Sequence, residues 1–286
     1  MDQLISQLLL GLVSGALLVL LALGLNLIFG LLEFINFAHG ALYMAGAYIA
    51  SYLAVVTGSI WTALIVVPIV MAAVGAGLER TIIRPMYGRA QVDALLLTFG
   101  LTYVIIEGVR MIAGSGGRRV RAPEVLNFQV PLGIGRPIPA YLLFVVLAVA
   151  LVVAGLWLFL QKTNVGLIVR AGIRDHVMIR ALGVRFDRYR TLVFALGIAV
   201  AGVAGVLTGP ISGVYPEMGA DILILSFVVV VVGGMGSFWG AVVAGLLIGV
   251  LVSVTTLYAS IYAGIVPFVL MILVMTFRPR GLLGAT

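Results

Sequence analysis

The residues able to do chemistry in this 286-residue chain are few and widely spaced. The densest set lies within residues 163–190, which hold Arg170, Arg174, Arg180, Arg185, Arg188 and Arg190, with Asp175 and His176 among them and Lys162 beside them. Glu33 and Glu107 stand near the ends of apolar runs, and ion-coupled carriers place carboxylates within their spans. His39 and His176 are far apart in sequence. With no cysteine in the chain, no metal site, thiolate nucleophile or disulfide is expected. Serine, histidine and acidic residues do not cluster as an intramembrane protease requires, and HExxH is absent. GGMGS at 233–237 has the glycines of a phosphate cradle, but no lysine follows it. GxxxxGK[ST] occurs nowhere and the only lysine is Lys162, so the chain is not expected to bind ATP itself. No catalytic residue is assigned, and the chain reads as a non-enzyme.

What must position these residues is a set of membrane spans. The chain is 63% hydrophobic and 9% charged, with a mean hydropathy of +1.26, too little polar surface to cover a soluble globule. Residues 3–32, 34–78, 137–161, 191–216 and 222–277 carry no Asp, Glu, Lys or Arg. A spanning helix needs about 20 such residues, so the longer runs cross more than once. Because the basic residues lie between apolar spans, the net charge of +7 points to orientation and anionic headgroups rather than to nucleic acid. No basic segment precedes the first apolar run, which predicts an uncleaved first helix.

The first span is expected over 4–29, interrupted from Gly30 through Glu33, Asn36 and His39 and resuming as a helix to about Val56. Spans follow at 60–78, tolerating Pro68, and at 94–113, where Glu107 and Arg110 sit three apart and predict a local ion pair. The polar connection 79–93 separates them. The loop 114–139 is the longest stretch without hydrophobic periodicity, and 140–160 is the next span. Read as one helix, 166–182 puts Arg170 and Arg174 on the side of Val177 and Ala181, which gives no clean amphipathic stripe. Beyond it, Gly197, Ala201, Gly205 and Gly209 recur every four residues, a spacing for close helix packing in lipid. Residues 222–232 are too short to cross unless their helix begins in the preceding acidic loop; full spans are expected at 239–257 and 261–277.

Lysine and arginine accumulate on the cytoplasmic side. That rule places 161–190 inside, and alternation then puts 79–93 and the tail with Arg278 and Arg280 inside and 114–139 and 213–221 outside. Nothing before Arg80 is basic, so the rule is silent about the N-terminus, which is placed outside by the count of spans. The total is about eight or nine membrane segments in one all-α polytopic domain, 1–286. Two discontinuities, at 30–40 and 233–236, are each followed by a similar pattern, HGALYMAG and WGAVVAG. Broken helices in corresponding halves mark transport paths, since freed backbone groups and half-helix ends can bind a solute.

Four stretches, ALGLNLIFGLLEFINFAHGALYMAGAYIA (22–50), VGLIVRAGIRDHVMIRALGV (165–184), FALGIAVAGVAGVL (194–207) and SFVVVVVGGMGSFWGAVVAGLLIG (226–249), together resemble the permease subunits of bacterial ABC importers for branched-chain (hydrophobic) amino acids, the shorter of the two permeases of that system. The resemblance implies the ABC-importer permease fold in the bacterial inner membrane. It also implies as partners a second related permease, two ATP-binding subunits and a periplasmic solute-binding protein, with ATP held by the partners and no cofactor on this chain. By this resemblance Arg170, Ala171, Arg174, Asp175, Ala181, Leu182 and Gly183 look like a coupling helix seated on an ATPase, although the segment diverges from the EAA-type consensus of other importers. Asn36, Phe37, His39, Gly40, Tyr43, Gly233, Gly234, Gly236, Ser237 and Trp239 would line the path. Relatives carry urea or short amides. The alternative from another class is a stand-alone ion-coupled carrier or channel; with carboxylates only near helix ends, the residues favour a carrier driven from outside the chain.

Overall fold

At five helix starts among the described residues, a short polar side chain accepts a backbone N–H that the helix leaves unpaired. A computed structural model describes residues 2–32, 34–131 and 137–284, with the side chains of Asp2, Arg174, His176 and Arg180 outside that description. Helix α1 covers Asp2–Leu32. At the start of α2 (Ala38–Thr57) the Ala38 N–H donates to Asn36 Oδ1 (3.1 Å), and at α3 (Ile60–Leu78) the Trp61 N–H donates to Ser59 Oγ (3.3 Å). Such caps satisfy backbone donors that no turn of helix can reach.

Helix α3 runs on as a π turn over Glu79–Ile83 and a 3-10 turn over Arg84–Met86. The polar connection is therefore shorter than 79–93, and α4 (Gln91–Ala113) begins ahead of the expected 94. A two-residue hairpin, β1 (Gln129–Val130) against β2 (Ile138–Pro139), closes the loop before α5 (Ala140–Lys162).

The basic segment is two helices rather than one: α6 (Asn164–Arg174), capped by Thr163 Oγ1 on Gly166 N (3.0 Å), and α7 (His176–Ala181), where Asp175 Oδ1 accepts from Met178 N (2.8 Å). The extended Asp175 backbone breaks the register on which the expected mixed face depended. With the break in place α6 has a clear inner face, burying Gly166, Val169 and Gly172 at three-residue spacing. Helix α8 (Phe186–Ser212) is the long small-residue helix. Helix α9 (Met218–Gly233) begins inside the preceding loop, as its length demanded, and α10 (Phe238–Ala259) is capped by Ser237 Oγ on Gly240 N (3.1 Å).

Helix α11 (Val266–Phe277) is only 12 residues, about 18 Å, not the full span expected over 261–277. A 3-10 turn at Ser260–Tyr262 and Pro267 in the first turn fix where it can start. The protein is an all-α, multi-pass membrane protein: among the described residues seven helices are long and apolar enough to span, with Asn164–Ile173 of α6, α9 and α11 as shorter apolar helices. The first discontinuity is also narrower than 30–40, because α1 stays helical through Leu32.

Helix α1 is the central element, with Leu20, Leu21, Ala22 and Leu23 wholly buried among α10, α8, α9 and α5. Helices α3, α4 and α5 are peripheral and expose Ile65, Ile69, Leu96, Phe99, Leu147 and Leu151, as a lipid environment permits. Small residues allow the closest contacts. The Gly24 and Gly197 backbones are so near that a methyl on Gly197 would sit 2.8 Å from Gly24 O.

The ends of the molecule sort as the charges predicted. Arg84 Nη2 donates to Thr191 Oγ1 (2.6 Å), joining the end of α3 to the start of α8. Gly30 faces Gly236 and Ile173, and the tail pairs Leu282 N with Val232 O (2.8 Å), so these segments share one face. On the other face Arg118 and Val214 exchange backbone hydrogen bonds (2.7 and 2.9 Å), and Gln3, Ser6 and Gln7 lie beside Pro137 and Pro139.

Candidate functional site

Helix α2 starts deep in the protein rather than at its surface. His39 Nε2 lies 3.2 Å from Leu21 O, and the Phe37 N–H donates to Thr98 Oγ1 on α4 (3.2 Å). Both contacts are with the interior of neighbouring helices. A carbonyl can only accept, so the His39 proton sits on Nε2 and leaves Nδ1 as an acceptor. Among the described residues that Nδ1 and Asn36 Nδ2 are buried without partners, with Asn36 1% and His39 0% exposed. Buried polar groups are ordinarily paired, so an unused donor and an unused acceptor one turn apart mark this helix start as special.

The start of α9 meets the start of α2 at Gly40 and Gly219. A methyl on either glycine would overlap the other's carbonyl. Two helix N-termini, each a positive dipole end, thus abut inside the protein, with the Phe37, Ala38 and His39 amides already held by Thr98 and Asn36. Above them Arg110 on α4 pairs with both Glu107 and Glu217, so the expected local pair is one edge of a three-residue cluster that holds the α9 start. The Arg110 guanidinium keeps the Glu217 carboxyl below the usual carboxylate range.

The second discontinuity sits elsewhere. Gly234 and Gly236 have φ of 103° and 81°, conformations that favour glycine. Asn26 of α1 spans the turn, donating from Nδ2 to Ser237 O (2.9 Å) and accepting from Gly236 N (2.7 Å). Gly233 packs on Gly240, and Trp239 is half exposed beside Trp157 of α5 (6.3 Å). Gly24, against which His39 packs, and Asn26 are two residues apart, about 200° around α1. The two groups of residues therefore flank α1 on different sides: Asn36, Phe37, His39 and Gly40 come together, while Gly233, Gly234, Gly236, Ser237 and Trp239 form a separate turn nearer the α6 end. Tyr43 is buried against Gly205 of α8.

Among the segment 161–190, Leu167, Ile173, Val177, Met178 and Leu182 are exposed on α6, α7 and the turn after them. Arg170 and Ala171 are half buried, Asp175 is the α7 cap, Ala181, Leu182 and Gly183 are exposed, and the Arg174 side chain is outside the described residues, as is Glu33. Gly172 lies flat on the Phe186 ring at the start of α8. From there Arg190 stacks over Phe186 (5.3 Å) and Tyr87 (4.7 Å). Tyr87 Oη donates to Glu79 Oε1 (2.9 Å), and Thr191 Oγ1 donates to Glu79 Oε2 (2.7 Å). Arg84 closes the set with Nε to Oε1 (3.3 Å) and Nη2 to Oε2 (2.9 Å). Burial, then the neighbouring carboxylate, raises the Tyr87 phenol well above its ordinary value, which keeps it a donor.

Sequence reasoning missed Glu79 and Asn26. Glu79 was counted as loop, yet it is wholly buried. Asn26 was signalled by its own chemistry, a lone amide in an apolar run that cannot face lipid unpaired.

Comparison with known proteins agrees with the four stretches. A family model described as "Branched-chain amino acid transport system / permease component" matches residues 7–275. The chain is 32% identical to the high-affinity branched-chain amino acid transport system permease protein LivH of Salmonella typhimurium, covering 96% of this chain and 93% of that protein. It is also 32% identical to BraD of Pseudomonas aeruginosa, covering 98% and 95%. A more distant likeness, 26% identity over 94% of this chain and 68% of that protein, links it to LivM of Escherichia coli. The chain belongs to the permease-component family of branched-chain amino acid transport systems.

Proposed function

We propose that this chain is the non-catalytic permease subunit of an ATP-driven importer, which moves branched-chain and related hydrophobic amino acids across the bacterial inner membrane by alternating access. Its partners are a second related permease, two ATP-binding subunits and a periplasmic solute-binding protein. The observation that carries this reading is the segment α6–α7. It lies on the basic face outside the seven spans, yet exposes Leu167, Ile173, Val177, Met178 and Leu182. Exposed apolar side chains on the water-facing side of a membrane protein call for a protein groove, and a mixed apolar and basic helix suits one.

Behind that surface the contacts run inward without a gap, from Gly172 to Phe186, Arg190, Tyr87 and buried Glu79, and so into both α3 and α8. Helix α8 in turn carries Gly197 and Gly205 against α1 and α2. A partner that shifts α6 on ATP binding therefore moves the helices around the α2 start. Separation of Gly40 from Gly219 would open that start to a solute, with the positive end of the α2 dipole and Asn36 Nδ2 facing its carboxylate. The mixed apolar surroundings leave the hydrocarbon side chain in place of water.

The test uses the assembled transporter in vesicles. Met178→Asp with Leu182→Asp should lower ATP-driven leucine uptake at least about tenfold while the chain still inserts, since two buried interface groups each contribute more than about 1 kcal/mol. Leucine uptake by the chain alone under an ion gradient, without ATP-binding subunits, would overturn the reading.

A further inference from the structure

The loop between α4 and α5 carries Arg118, Arg119 and Arg121 on the face opposite α6–α7, where positive charge is disfavoured if α6–α7 is cytoplasmic. Arg118 is accounted for by the fold: it donates from Nη2 to Ala113 O (2.8 Å), stacks on Tyr48 (5.8 Å) and pairs its backbone with Val214. Arg119 and Arg121 are not. Among the described residues neither has an ion-pair partner, and both line a cavity of about 570 Å³ between this loop and the α2–α3 turn. Among the described residues Glu124 is the one carboxylate on its wall, so that lining keeps a net positive charge.

The remaining wall is of two kinds. Ser51, Ser59 and Gly58 offer hydroxyl and turn groups, while Ala54, Val55, Ile60 and Trp61 are apolar. Val55 is 83% exposed and Trp61 40% exposed, and both lie at helix ends, where the lipid interface falls; tryptophan is enriched at that depth. A ligand that fits must be anionic at one end and hydrocarbon at the other. We infer that this cavity binds the phosphate headgroup of an anionic phospholipid, with Arg119 and Arg121 on the phosphate and the acyl chains running along the exposed faces of α2 and α3. A soluble acidic protein would meet the arginines as well, but would not need the apolar wall that continues down into the spans.

The experiment reads the cavity through Trp61 in the full chain, with Trp157→Phe and Trp239→Phe so that no other tryptophan reports. Vesicles contain brominated phosphatidylglycerol or brominated phosphatidylcholine, and quenching gives the relative affinity at the site. The expected result is a preference of about thirtyfold for phosphatidylglycerol, the scale two arginines supply beside an anionic headgroup at about 1 kcal/mol each. That preference should vanish in Arg119→Ala/Arg121→Ala and survive in Arg119→Lys/Arg121→Lys, which keeps the charge and controls for folding. Equal quenching by the two lipids would overturn the proposal, as would a preference that persists in the alanine variant. Reversal of the quenching by millimolar inorganic phosphate would assign the site to a free anion instead. Retained lipid preference with loss of binding-protein-dependent uptake would assign it to a protein. No transport is read in the quenching, so the result does not depend on the proposed function.

Discussion

Gly40 and Gly219 face each other with no room for a methyl group on either, so the junction of α2 and α9 tolerates no side chain. Gly40→Ala should destabilise the protein by about 1–3 kcal/mol through overpacking. Gly77→Ala on α3, where nothing lies within 4 Å, should be neutral or stabilising by up to about 1 kcal/mol. Thermal unfolding of the two variants in one detergent checks the contrast, and equal midpoints would refute the close approach. Glu79 is the other residue on which much depends. Thr191→Val removes one donor from its carboxylate and should cost about 1 kcal/mol, while Glu79→Ala strands Tyr87 and Thr191 and should cost about 1–3 kcal/mol. Because Arg84 is partly exposed, its loss of a partner adds little. A double-mutant cycle of Glu79→Ala with Thr191→Val should show strong non-additivity; additive losses would mean the residues act separately.

At the scale of elements, α6 is tied to α8 by Gly172 on Phe186, so a side chain at 172 should push the two apart. Gly172→Ala is expected to reduce uptake by the assembled transporter several-fold while ATP hydrolysis continues, and Phe186→Leu in the same chain should restore part of it. Unchanged uptake in Gly172→Ala would remove this contact from the coupling route. The start of α9 hangs on Arg110 and Glu217. Glu217 titrates below the usual carboxylate value, so its contribution is present at neutral pH and is lost only as the pH falls through that lowered value. Glu217→Gln should therefore lower the unfolding midpoint at pH 7 and match the parent chain in strong acid. Most element boundaries were legible because uncharged runs delimit them. The break at Asp175 was not, since a single helical register fits the same residues until the cap on Met178 is seen. The length of α11 was hidden for a related reason: hydropathy continues unbroken through 260–265 while the backbone turns.

For the whole molecule, the two discontinuities looked equivalent in sequence but occupy different places around α1. Periodicity gives no hint of that, because it depends on which helix each break packs against. The basic face, by contrast, was readable from charge alone, and the fold gathers the end of α3, the segment α6–α7 and the tail on one side of the spans. Everything proposed about energy coupling requires that side to be cytoplasmic. The chain has no cysteine, so single cysteines report cleanly. With Val177→Cys on α7 and Val125→Cys on the opposite loop, both exposed, a membrane-impermeant maleimide is applied to intact cells. Labelling at 125 in intact cells and at 177 only after permeabilisation is the expected outcome. Labelling at 177 from outside an intact membrane would contradict the account.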